Sequence, residues 1–146
     1  MTQDPFGNLM DWGPVLDTLE ELAHQGNLDK YQSGLIRILR FKGNWRLREE
    51  VLKRVGEIQS PAPELIRQVL TLLDDDNLYY DARILAGEAL VQLLENLHSD
   101  PEGEIHARVG NFIKRLTGMP QPPFFTDALN RMNAALAQSG IAVIAA

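Results

Sequence analysis

The sequence predicts an all-α fold of about seven helices in one domain spanning residues 1–146. Three observations predict it. Apolar residues recur at spacings of three and four along most of the chain, and nowhere do they alternate as a strand requires. Glycines, prolines and short polar caps cut the chain into helix-sized pieces. The chain also resembles itself at an offset of 35 residues, which points to a stack of similar helix pairs.

The pieces follow in order. Gly13-Pro14 opens the first, since proline near a helix start loses no intrahelical bond. Val15, Leu16, Leu19 and Leu22 form its apolar stripe, and Gly26 is placed to end it in a left-handed conformation. Asp29 stands as the cap of the second, with Tyr31, Leu35, Ile38 and Leu39 inward and Gly43 as the stop. Asn44 caps the third, which carries Leu47, Val51, Val55 and Ile58. Ser60-Pro61 reads as the next start, a capping hydroxyl followed by proline. Leu65, Ile66, Val69, Leu70, Leu72 and Leu73 follow it, until Asp74-Asp75-Asp76-Asn77 breaks the helix.

The fifth piece runs from Leu78 to Leu97 on a wide stripe of Ala82, Leu85, Ala86, Ala89, Leu90, Leu93 and Leu94. Ile84 and Val91 add a second apolar line, so this helix is expected to be central, with neighbours on two sides. Asp100-Pro101 starts the sixth, with Ile105, Val109, Phe112, Ile113 and Leu116 inward and Gly118 beyond its end. After Pro120-Gln121-Pro122-Pro123 the last helix, about 124–138, presents Phe125, Leu129, Met132 and Leu136. Trp12 and Phe124-Phe125 are expected to cap the end units.

Composition narrows the function classes. The absence of cysteine excludes disulfides, thiol catalysis and cysteine-bound metal centres. The formal charge of −6 disfavours general binding to phosphate backbones, yet it conceals blocks of opposite sign. Residues 1–29 hold six acids and no lysine or arginine, residues 37–54 sum to +5, and residues 57–104 sum to −9. Within the basic block, Arg46–Glu50, Glu49–Lys53 and Glu50–Arg54 are spaced to pair along one helix. Arg37, Arg40 and Lys42 are left as the unpaired remainder. No basic region precedes a long apolar run, so no signal peptide is read and the cytoplasm is the expected location. No stretch is long enough to span a membrane as a helix.

At the 35-residue offset Trp45 falls on Tyr80, Arg48 on Arg83, Val51 on Ala86 and Val55 on Leu90, while Leu35 falls on Leu70. The run from Leu65 to Asp75, followed by Ala82-Arg83, Ala86, Ala89-Leu90 and Leu93, resembles a HEAT repeat of the armadillo-type helical repeats. The resemblance covers about residues 30–97 and extends weakly to the flanks. It implies a right-handed α-solenoid of about three helix pairs, in units of about 30–58, 61–97 and 101–138. In the family an acidic turn precedes a hydrophobic–arginine pair. Asp74–Asp76 and Arg83 match those positions, and Leu47-Arg48 is the pair of the earlier unit, where Lys42-Gly43-Asn44 replaces the acidic turn. The family serves mostly as interaction scaffolds.

The sequence carries none of the common catalytic patterns. There is no Gly-x-Ser-x-Gly elbow, phosphate loop or His-Glu-x-x-His pattern. The densest constellation, His98 to His106 with Asp100, Glu102 and Glu104, reads as a helix end, a capped turn and an acidic first turn. Asp74–Asp76 reads as a solvated turn. Neither catalysis nor a metal or cofactor is expected. Trp45, Arg48, Tyr79, Tyr80 and Arg83 sit at the starts of second helices in successive units. They fit two roles, either inter-repeat packing and turn bracing or one protein-binding surface, since interfaces favour Trp, Tyr and Arg. The expected function is a protein-binding adaptor or regulatory scaffold. The alternative is a nucleic-acid binder using Arg37, Arg40, Lys42 and Arg46 of the Arg37–Arg54 block. The apolar tail Ile141–Ala146 is a candidate for self-association.

Overall fold

The computed structural model describes residues 4–97 and 103–138. The expected His98–Asp100 boundary, the Leu136 side chain and the Ile141–Ala146 tail lie outside what is described. Among the described residues seven α-helices follow one another: α1 (Trp12–His24), α2 (Gln32–Arg40), α3 (Trp45–Val55), α4 (Pro63–Leu73), α5 (Tyr80–Glu95), α6 (Glu104–Thr117) and α7 (Pro123–Gln138). A short 3-10 turn, Leu28–Tyr31, leads into α2. Among the described residues there is no strand, and no helix is long and apolar enough to cross a membrane. The all-α expectation therefore holds.

The helices pack in two rows. In one, α1 lies on α3, α3 on α5 and α5 on α7; in the other, α2 lies on α4 and α4 on α6. The pairs α2–α3, α4–α5 and α6–α7 join the rows. The apolar stripes meet between them, and nearly every residue read as inward is buried, with Leu16, Tyr31, Leu78, Leu85 and Leu97 half-buried. Each fully buried Leu, Ile or Val contributes roughly 1.5–3 kcal/mol relative to exposure. Helix α5 touches α3, α4 and α7, the central position its two apolar lines imply. Ile84 and Val91 face a groove of about 440 Å³ shared with Ala128 and Met132 of α7. Close approach is permitted by Gly87, where an added Cβ would lie 2.5 Å from the Met132 sulfur.

Three expected starts are corrected. Asp29 does not cap the second helix: its carboxylate accepts the backbone N–H of Ser60 at 3.1 Å, and the chain enters α2 through the 3-10 turn. Ser60 in turn caps nothing. Helix α4 begins at Pro63, behind an extended Ala62 (φ −72°, ψ 145°), because a residue before proline is held out of the helical region. The fifth helix likewise starts at Tyr80 rather than Leu78, since Tyr79 is extended. Other signals hold: Asn44 Oδ1 accepts the N–H of Arg46 at 3.0 Å, and Gly26 has φ +71° just beyond α1.

The N-terminal end is capped differently from expectation. Trp12 is exposed; Phe6 and Leu9 are the buried residues there, 4% and 6% exposed. Phe6 lies over Gly34 of α2, and Arg37 of the same helix holds the Asp4 carboxylate at 2.6 Å and the Gly7 carbonyl at 2.8 Å. At the other end Phe125 is fully buried and Phe124 is half exposed.

Candidate partner-binding surface

Helices α1, α3, α5 and α7 begin along one edge, and their first turns carry the large aromatics. Trp45, the first residue of α3, is 59% exposed and meets Tyr79 edge-to-face, with ring centroids 6.1 Å apart. Tyr80 packs edge-to-face against Phe124 at 5.5 Å and beside Phe125 at 4.9 Å. On the α1 side, the Arg46 guanidinium lies 5.9 Å from the Trp12 ring. The exposed members Trp12, Trp45, Tyr79 and Phe124 thus follow one another across four helix starts. Tyr79 is held in place by its hydroxyl, which donates to the Glu49 carboxylate of α3. Loss of hydration, followed by that contact, pushes the Tyr79 pKa far above the usual phenol value.

The two arginines work beneath the aromatics. Arg48 Nε donates to the Leu39 carbonyl at 3.0 Å, and Arg83 Nε donates to the Leu73 carbonyl at 2.9 Å. Each ties the start of a second helix to an end carbonyl of the helix before it, the bracing role read from the sequence. Arg83 is 3% exposed, with its guanidinium 4.8 Å from the Phe125 ring and 5.6 Å from that of Tyr80. It is therefore absent from the accessible surface. Arg48 is half-buried, and desolvation lowers its pKa against the pull of the Asp75 charge. The acidic turn is bound on both sides: Asp76 accepts from Arg83 at 3.4 Å, and Arg115 of α6 pairs with Asp74 and, at 3.8 Å, with Asp76.

The basic block is less available than its total charge suggests. Arg37, read as unpaired, is bound to Asp4; this contact raises the arginine's pKa and lowers the aspartate's. Arg40, also read as unpaired, donates to Gln68 at 2.9 Å. Lys42 and Arg46 are exposed. Of the anticipated i,i+4 pairs only Glu50–Arg54 is among the ion pairs, at 3.7 Å; Lys53 pairs with Glu50 at 3.4 Å because Glu49 is turned to Tyr79.

Among the described residues no three His, Cys, Asp or Glu side chains converge as a metal site requires. Residues 98–102 of the His98–His106 run lie outside the described part. Three features escaped the sequence reading: the place of Trp12 and Phe124 in the aromatic row, the Glu49–Tyr79 link and the Arg115 contacts. The 35-residue offset gives no signal for the first, since it carries Trp12 to Leu47 and Tyr80 to Arg115; the available signal was that the last helix opens with aromatics as α3 and α5 do. No family model, curated protein or solved structure matches the chain.

Proposed function

We propose that this chain is a HEAT-like helical-repeat adaptor, a short α-solenoid without catalytic chemistry that binds another protein along its aromatic edge. The observation that carries the reading is the row of exposed Trp12, Trp45, Tyr79 and Phe124 over successive helix starts. A soluble fold leaves such rings in water at a cost, and interfaces use Trp and Tyr as anchors. Further support comes from the equivalent bonds of Arg48 and Arg83 and from the two-row packing, which suit stacked repeats. Engagement of Arg37 and Arg40 within the molecule favours a protein partner over the nucleic-acid alternative.

The test is affinity capture from native extract, with and without nuclease, using the wild-type chain and the Trp45→Ala, Tyr79→Ala double variant. The reading expects a protein that is retained after nuclease treatment and lost from the folded double variant. Equal capture by both chains refutes the aromatic surface. Capture abolished by nuclease refutes the protein-partner reading.

A further inference from the structure

The N-terminal segment is seated on α2 as a peptide is seated in a site. The Asp4 carboxylate turns back to accept the N–H of Phe6 at 3.1 Å, which aims both side chains the same way. That carboxylate is gripped by two nitrogens of Arg37, at 2.6 and 3.0 Å, and the same guanidinium donates to the Gly7 carbonyl. The Phe6 ring fills a notch that exists because residue 34 has no side chain: an added Cβ would lie 2.7 Å from the ring and 3.0 Å from the Asp4 oxygen. Charge, turn geometry and shape therefore all specify one ligand, an aspartate two residues ahead of an aromatic.

We propose that the Gly34–Arg37 notch is a binding site for Asp-x-Phe segments of a partner polypeptide, and that the chain's own Asp4–Leu9 strap occupies it and competes with them. The strap is short, and its ion pair is open to water, with the Arg37 and Asp4 side chains 41% and 31% exposed. Only Phe6 and Leu9 anchor it by burial. A strap of this kind opens far more readily than the helices beneath it. The site is distinct from the aromatic edge, and its test does not depend on the function proposed above.

The probe is a fluorescent peptide of residues 4–11, titrated against the full chain by anisotropy. An occupied site lowers apparent affinity by the fraction of molecules in which it is open. The Asp4→Ala, Phe6→Ala chain is therefore expected to bind the peptide at least about tenfold more tightly than wild type. Gly34→Ala added to it, which suits a helix, should weaken that binding, and a Phe6→Ser peptide should not bind. Arg37→Asp should abolish binding, and an Asp4→Arg peptide should restore it, which a merely misfolded variant cannot do. Should the double variant fail to fold, Asp4→Ala alone gives the same comparison. Equal binding to wild-type and strap-disabled chains overturns the proposal, as does indifference to both Gly34→Ala and Arg37→Asp. A wild-type dimer in light scattering that Phe6→Ala abolishes would assign the notch to a second copy and also overturn it.

Discussion

The guanidinium of Arg83 reaches the Leu73 carbonyl at 2.9 Å from a position that is 3% exposed. A charged group so enclosed is tolerated because the carbonyl, Asp76 and the faces of Tyr80 and Phe125 replace its water. Truncation leaves the carbonyl unmet and a void between two helix rows. Arg83→Ala is expected to cost about 3 kcal/mol in urea unfolding, and Arg83→Lys to recover little, since an ammonium lacks the planar fork. Arg48→Ala, at a half-buried site, should cost about 1 kcal/mol. Equal losses at the two positions would refute the distinction.

Tyr79 sets a limit on alkaline stability. Its folded pKa lies above the ordinary 10.0, so the folded chain keeps the phenolic proton where the unfolded chain has released it. The stability linked to this group is complete below about pH 10 and falls as pH rises from there toward the folded value. Denaturation midpoints above about pH 10 should drop less steeply in Tyr79→Phe than in wild type. Identical slopes would count against the desolvation of the Tyr79 phenol and its Glu49 contact together.

Gly87 records how closely α5 and α7 approach. Alanine there gains up to about 1 kcal/mol of helix propensity but pushes on the flexible end of Met132, so Gly87→Ala is expected to change stability by less than about 1 kcal/mol. Gly87→Leu cannot be absorbed so easily and should cost about 2–3 kcal/mol. Pairing it with Met132→Ala should return part of that loss in a double-mutant cycle. Simple additivity would mean that the two residues do not meet.

Trp45 contributes little to the fold. Its edge-to-face contact with Tyr79 is worth about 0.5–1.5 kcal/mol, so Trp45→Ala should leave a folded chain whose melting midpoint moves by only a few degrees. Calorimetry checks this, and it lets any loss of partner capture be read as lost binding. Collapse of the fold would make Trp45 a core residue instead.

Helix periodicity made the architecture readable because it depends on neighbours three and four residues away. The Asn44 cap, the Gly26 turn and the matched arginines were equally local or repeated. What escaped depended on contacts across long stretches of chain. Arg37 looked unpaired because Asp4, which binds it, stands 33 residues away in a segment without periodicity. Ser60 looked like a cap because Pro61 follows it, but Pro63 holds Ala62 extended and moves the start. Glu49 was assigned to Lys53 along its own helix, and Tyr79, on the next unit, takes it instead. Trp45 and Tyr79 of the candidate surface were therefore visible from the sequence, whereas the place of Trp12 and Phe124 beside them and the burial of Arg83 were not.

The common starting edge of α1, α3, α5 and α7 also has an electrical consequence. Each helix start carries about half a positive charge from its aligned peptide dipoles. Asp11 precedes α1 and Asp81 lies in the first turn of α5, where they oppose that charge, while the first turns of α3 and α7 hold no acid. The edge thus alternates between screened and unscreened positive poles. The α3 pole is reinforced by Arg46 beside Trp45, so a chain with an overall charge of −6 offers a carboxylate a local point of attraction there.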